Sequence, residues 1–228
     1  MNQWEKIWNK KDRINKVILE CLIKADGFDS GAGAFEVDEW LEYTKNLYNK
    51  IGITAADSVF DVGCGSAAFI YPHYLGGGNS GGGIDYSTIL IGLAKKMIPE
   101  YDFSCGDAIN LDSRDKFDTV LSHSVFQYFK SLEYADDIID KMLAKADKSI
   151  AILDVNDHSK EKLYHQTRMG QMSLDEYEEK YKDLDHLFYK KEWFLEIAEE
   201  RNLKIDIFDQ DFSSYGNSNL RFNVVMKK

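Results

Sequence analysis

The stretch Val59-Phe60-Asp61-Val62-Gly63-Cys64-Gly65-Ser66-Ala67-Ala68 runs from an apolar strand into a glycine turn. Further on, Gly83-Ile84-Asp85 ends a second strand on an acid, twenty positions after Gly65. This is the layout of a nucleotide-type ligand site. Gly63 and Gly65 allow backbone angles and a close ligand approach that a side chain would block, and a helix opening after the turn is expected to offer free N–H donors to an anionic group. Cys64 reads as a small filler of the same turn. The Asp85 carboxylate is placed to accept from both hydroxyls of a ribose. Two enzyme classes can claim these letters, because Gly63-x-Gly65-x-x-Ala68 with a distal acid also fits the dinucleotide fingerprint of NAD-dependent dehydrogenases. Asp61 separates them: a carboxylate directly before the turn repels a pyrophosphate but attracts the ammonium of a methionine moiety.

Outward from this stretch, short apolar strands alternate with helical stretches, the pattern of a doubly wound parallel sheet of the α/β class. The pattern predicts strands over residues 58–61, 82–85, 101–104, 119–121 and 150–154. Between them fall helices over 87–97, opened by a Ser87 cap, and over 131–144. Before the first strand, Trp4, Ile7, Trp8, Ile14, Val17, Ile18, Cys21 and Leu22 recur at helical spacing. A run of turn residues from Asp26 to Gly33 follows, then a second helix over 35–51. The chain therefore reads as one domain: a helical cap (1–51), a cofactor-binding core (52–155), an interrupting segment of one or two helices forming a substrate wall (156–188), and a closing part (189–228). The closing part holds a helix over 190–201 and strands over 203–208 and 220–226. Glycines crowd residues 76–83, so the second strand should be weak and closely approached. Pro72 should shorten or kink the helix after the first motif.

These motifs resemble the class I S-adenosylmethionine-dependent methyltransferases. Asp61, Gly63 and Gly65 match the family's acidic-x-G-x-G. Gly83-Ile84-Asp85-Tyr86-Ser87 is similar to its second-strand G-x-D-x-S, which implies Asp85 on the ribose and Tyr86 beside the adenosine. Gly106-Asp107-Ala108 is similar to its third-strand G-D-A, which implies Asp107 on the adenine amino group with Ala108 beside it. The stretch from Phe117 to Val125 resembles the fourth strand, with Ser122 and His123 bordering the methionine end. The resemblance implies a seven-stranded, mostly parallel sheet with its last strand antiparallel, S-adenosylmethionine as cofactor, and transfer of a methyl group.

His123 is the candidate general base, since it follows the fourth strand at the carboxyl edge of the sheet and imidazole titrates near neutrality. The competing reading is a histidine that only packs against cofactor. Tyr128 is a second catalytic candidate, to orient a substrate, and His158, Tyr164 and His165 could reach it from the cap side. No metal-ligand spacing stands out, so metal-independent chemistry is expected. The acidic run from Asp175 to Glu179 reads as a solvated helix face.

With 28 Lys and Arg against 39 Asp and Glu, the net charge of -11 disfavours a nucleic-acid partner and favours a small-molecule substrate. Three scattered cysteines do not make a disulfide framework, and no run is apolar enough to span a membrane, so a cytoplasmic location is expected. The expected reaction is O-methylation of a small polar metabolite, such as a sugar or phosphate-type group in surface-polysaccharide biosynthesis. The alternatives are a small-molecule N-methyltransferase, a catalytically silent S-adenosylmethionine-binding domain and a dehydrogenase.

Overall fold

The glycine-turn strand lies at the centre of a seven-stranded sheet whose order is β3-β2-β1-β4-β5-β7-β6. The structure, a computed structural model, describes residues 13–78, 80–170, 173 and 186–228. The strands are β1 (Val59–Val62), β2 (Gly81–Asp85), β3 (Asp102–Cys105), β4 (Phe117–His123), β5 (Ala146–Asn156), β6 (Lys204–Asp209) and β7 (Arg221–Lys227). All neighbouring pairs are parallel except those made by β7, which runs antiparallel to both β5 and β6. The order reverses between β1 and β4, and in open α/β sheets ligands bind beyond the strand ends at such a point. The doubly wound fold with an antiparallel last strand stands as the sequence implied.

The helices are α1 (Arg13–Ala25), α2 (Val37–Ile51), α3 (Tyr71–Leu75), α4 (Thr88–Met97), α5 (Leu132–Lys145), α6 (Glu161–Met169) and α7 (Lys191–Glu200). Ser87 caps α4 and Ser131 caps α5, each hydroxyl accepting from the amide three residues on. Of the cap's apolar stripe, Leu22 is buried and Ile18 partly buried, with Leu19 and Ile23 beside them in one cluster with Trp40, Tyr43 and Leu47 of α2, whereas Cys21 is exposed. Trp4, Ile7, Trp8 and the acidic run from Asp175 to Glu179 lie outside the described residues.

Two local expectations are resolved in physical terms. The glycines of β2 are there because there is no room for anything else: a Cβ on Gly82 would lie 2.3 Å from the Asp102 carbonyl oxygen, and one on Gly83 2.6 Å from Cys64 Cβ. The helix expected directly after the glycine turn does not start there. Ala67 has φ 74, the chain continues through turns to Ile70, and the helix is the five-residue α3 with Pro72 in its first turn. Proline is tolerated at that position because the amide it lacks would have had no helical partner.

Candidate active site

At the carboxyl ends of β1 to β4, reaching to the start of β7, lies a cavity of about 1210 Å³, more than the roughly 300–1,000 Å³ typical of a site for one small ligand. Its lining includes nearly all the positions singled out in the sequence: Asp61, Gly63, Cys64, Gly65, Asp85, Tyr86, Asp107, Ala108, His123 and Tyr128, together with Tyr164. Ser122 is not brought to it. That side chain is fully buried, and its hydroxyl donates to the Val62 carbonyl at 2.7 Å, tying β4 to β1. His158 and His165 also fall outside the lining, exposed on either side of Glu161 at 3.8 and 4.0 Å.

One end of the cavity is acidic. Asp85 accepts from Gly65 N at 3.0 Å through one carboxylate oxygen and from Ser87 N at 2.8 Å through the other, so it clamps the glycine turn to the start of α4. Asp107 caps the turn after β3 and accepts from the Tyr134 hydroxyl, which holds its carboxyl below the usual range. Asp61 is almost wholly buried and one of its carboxylate oxygens has no hydrogen-bond partner. Burial, with Asp26 and Asp85 nearby, pushes its pKa well up. A buried acid left in this condition is what a cationic ligand group would relieve.

The N–H groups of the turn, which the sequence assigned to an anionic ligand group, already have a partner. Asp26, immediately after α1 of the cap, accepts from Ser66 N at 2.6 Å and from Ala68 N at 3.2 Å. Its pKa is pushed up to about 6, by burial first, while those two bonds pull it down. With no helix beginning at Gly65, the Ser66 and Ala68 amides point instead at the one carboxylate of Asp26, 40 and 42 positions earlier in the chain.

His123, on β4 between the two ends, is held among aromatic rings: it stacks on Phe69 at 4.1 Å and 12° and meets Trp40 edge-on at 5.8 Å. Its protonation is set by a chain of donors. Asp154 N donates to Asn223 Oδ1 (3.0 Å), Asn223 Nδ2 to Gln210 Oε1 (3.2 Å), and Gln210 Nε2 to the Tyr43 hydroxyl oxygen (2.7 Å). A backbone amide can only donate, so each amide in the chain has one orientation. The Tyr43 hydroxyl, accepting from Gln210, has its own proton to give to His123 Nε2, 2.9 Å away. The basic nitrogen of His123 is thereby occupied and its proton sits on Nδ1. Burial lowers its pKa to about 4, Asp154 opposing and Arg221 assisting. This is a neutral, positioned imidazole, poorly suited to the role of general base.

The opposite end carries cations and aromatic rings. Arg221, the first residue of β7, and Arg168 of α6 both line the cavity and approach the Tyr164 ring, at 6.0 and 4.8 Å from its centroid. Tyr164 hydrogen-bonds His186 Nδ1 at 2.6 Å, and Tyr128, largely exposed, stands edge-on to the His186 ring. Asp154, fully buried with φ 58, accepts from the Tyr215 hydroxyl at 2.9 Å. Among the described residues no group of three or more His, Cys, Asp and Glu is arranged to hold a metal, and no helix is long and apolar enough to cross a membrane.

Residues 53–202 match the methyltransferase domain family. The chain belongs to this family, the class I S-adenosylmethionine-dependent methyltransferases. No curated protein matches it. Solved methyltransferases share its fold at low identity. The plantazolicin methyltransferase BpumL in complex with SAH is 17% identical with a TM-score of 0.63, over 99% of both chains. The magnesium protoporphyrin IX methyltransferase of Synechocystis PCC 6803 with bound SAM is 16% identical with a TM-score of 0.59, over 93% of this chain and 95% of that one. A methyltransferase of Clostridium acetobutylicum is 13% identical with a TM-score of 0.61, over 95% and 99%. In this methyltransferase the cap residues Asp26, Phe28, Trp40 and Tyr43, and Arg221 and Tyr215 near the other end, lie outside the family match. Sequence reasoning passed over all six. Arg221 alone carried a signal, as a charged residue opening the apolar strand Arg221-Phe222-Asn223-Val224-Val225-Met226.

Proposed function

We propose that this methyltransferase methylates an oxygen of a small polar metabolite, and that its cavity takes donor and acceptor end to end. The observation that carries this reading is the separation of charge along the cavity. Asp26, Asp61, Asp85 and Asp107 lie at the β1 to β3 end, with Lys130 beside Asp107 offsetting one of them, and Arg168 and Arg221 lie at the α6 and β7 end, with His123 between. S-adenosylmethionine, when bound, supplies a methyl group already activated on a sulfonium. Asp61, with its unpartnered oxygen, is assigned to the methionine ammonium, and Asp85 and Tyr86 to the ribose and adenosine. Asp107, with Ala108, is assigned to the adenine edge, and Gly63, Cys64 and Gly65 to close backbone approach. His123 lines the methionine end as a neutral ring and Tyr128 stands on the acceptor side.

The acceptor end favours oxygen over nitrogen. An amine that is cationic at neutral pH would meet two guanidinium groups, and the cost of that approach grows in a partly enclosed cavity. Among the described lining residues none singles out a saccharide, so the acceptor is proposed by charge and size alone. Calorimetry with S-adenosylhomocysteine and with NAD, followed by S-adenosylhomocysteine formation with hydroxyl, carboxyl and amine acceptors, tests the reading. Binding of S-adenosylhomocysteine and turnover with oxygen acceptors are expected. Preferential NAD binding would return the chain to the dehydrogenases, turnover confined to amines would make it an N-methyltransferase, and tight binding without turnover would mark a silent binding domain.

A further inference from the structure

Arg221 is more than nine-tenths buried, yet its guanidinium is barely engaged. Nη1 donates to the Asp154 carbonyl at a long 3.4 Å, Nε has no hydrogen-bond partner, and the nearest approach to the Asp154 carboxylate is 4.0 Å, from Nε to Oδ1. That Oδ1 is itself without a partner, because Asp154 spends its other oxygen on Tyr215. Charge balance holds the pair in the interior without satisfying the donors. Leaving a buried, charged donor such as Nε unmade is costly, and such a donor in a cavity wall is matched to a ligand that completes it. Arg168 brings a second guanidinium to the same Tyr164 ring. The complement is an anion. A planar guanidinium fork fits a carboxylate bidentately, and with Asp154 already beside Arg221 a monoanion is a better match than a phosphate dianion.

The second observation is the occupied nitrogen of His123. A hydroxyl acceptor needs a group to take its proton, and the His123 imidazole at the end of β4 has its lone pair engaged by Tyr43. A carboxylate arrives deprotonated and needs no base.

Building on the oxygen-acceptor reading above, we propose that the acceptor is a small carboxylic acid, anchored by Arg221 and converted to its methyl ester. A lone pair of the carboxylate oxygen forms the new bond to the methyl carbon while the methyl–sulfur bond breaks and its electron pair stays on sulfur. One negative and one positive charge are consumed and no proton is released.

The test uses the full chain saturated with S-adenosylhomocysteine and a fixed set of probes: acetate, succinate, benzoate and phenylacetate beside the alcohols ethanol, butanediol, benzyl alcohol and 2-phenylethanol. At least one carboxylate is expected to bind the wild type, at least about tenfold more tightly than the matching alcohol and than it binds Arg221→Met. Affinity for S-adenosylhomocysteine should be unchanged in Arg221→Met, which reports that the variant is folded. Arg221→Lys, a second variant that keeps the charge but not the fork, should fall between them. With methyl-labelled S-adenosylmethionine, the label on the product should be released as methanol by mild alkali, as from a carboxylate ester, whereas methyl ethers and amines and simple phosphate esters resist it. The proposal is overturned if none of the carboxylates binds, if binding is indifferent to Arg221 in a variant that still holds S-adenosylhomocysteine, or if the label is stable to alkali. Failure of S-adenosylhomocysteine itself to bind would instead sink the underlying methyltransfer reading.

Discussion

Replacing His123 by Phe discriminates between a base and a neutral packing group, and stability against pH is the sharper measure. Burial lowers the His123 pKa to about 4, against ~6.5 for an unfolded imidazole. The unfolded chain therefore binds the proton more readily than the folded one, so this side chain contributes stability above pH ~6.5 that is lost as the pH falls toward 4. Between pH 7 and pH 5 the two pKa values give a loss of about 2 kcal/mol, and the full difference is about 3 kcal/mol. Asp26 works the other way. Its folded pKa of about 6 lies above the unfolded 3.8, so its contribution is greatest in acid and is lost as the pH rises through 6. Asp26 is present in both proteins and cancels from the comparison. Urea unfolding of wild type and His123→Phe at pH 5, 6 and 7 should show the variant less stable at pH 7, because the Tyr43 hydroxyl loses its acceptor, with a gap that closes by about 2 kcal/mol toward pH 5. Turnover at pH 7 should fall by less than about tenfold, where loss of a general base costs roughly 10²–10⁴. Parallel pH profiles together with a thousandfold loss of kcat would refute the assignment of a neutral, committed imidazole.

Other substitutions read separate parts of the site. Asp85→Ala releases the amides of Gly65 and Ser87 and should weaken S-adenosylhomocysteine binding by more than about tenfold in calorimetry; an unchanged Kd would remove Asp85 from the donor end. Asp26→Ala frees the Ser66 and Ala68 amides, so a loss of roughly 1–2 kcal/mol at pH 7 is expected, along with disappearance of the gain in stability between pH 6 and pH 4 that Asp26 supplies. Gly82→Ala drives a Cβ against the Asp102 carbonyl oxygen and should cost about 2 kcal/mol or more, whereas Gly92→Ala, on an exposed face of α4 with nothing within 4 Å, should be neutral or gain up to ~1 kcal/mol. Equal thermal shifts for the two glycine variants would contradict the packing described for β2.

The sheet was legible because its signals are local. Alternating apolar strands and serine-capped helices occupy contiguous letters, and the predicted ranges for β1 to β7 each overlap the strand found. The donor end was legible for the same reason, since Asp61, Asp85 and Asp107 each lie within two residues of a strand's carboxyl end. What could not be read depends on residues distant in sequence. Nothing beside Asp26 announces that its carboxylate will take the amides of the glycine turn, and the helix expected after that turn was displaced to Tyr71 by the left-handed Ala67 and by Pro72. Ser122 follows the motif in sequence but points at Val62, a distinction that only the pairing of β4 with β1 reveals. The same holds for His123: its place on β4 was readable, whereas its protonation is decided by Gln210 and Asn223, which the pairing of β7 with β5 and β6 brings beneath it.

The bond from Gln210 to Tyr43 joins residues 167 positions apart, and Phe35 of the cap stacks on Tyr215 at 4.9 Å. The roof of the cavity is thus made where the early and late parts of the chain meet. During synthesis the cap emerges first: Trp40 can meet Phe69 and His123 once those residues are made, but Phe35 and Tyr43 must wait for Tyr215 and Gln210. Contacts of such long sequence separation close slowly, so the last event of folding should also be the one that switches the enzyme on. A nascent chain that already has its glycine turn and central strands would still lack a finished chamber in which to use them.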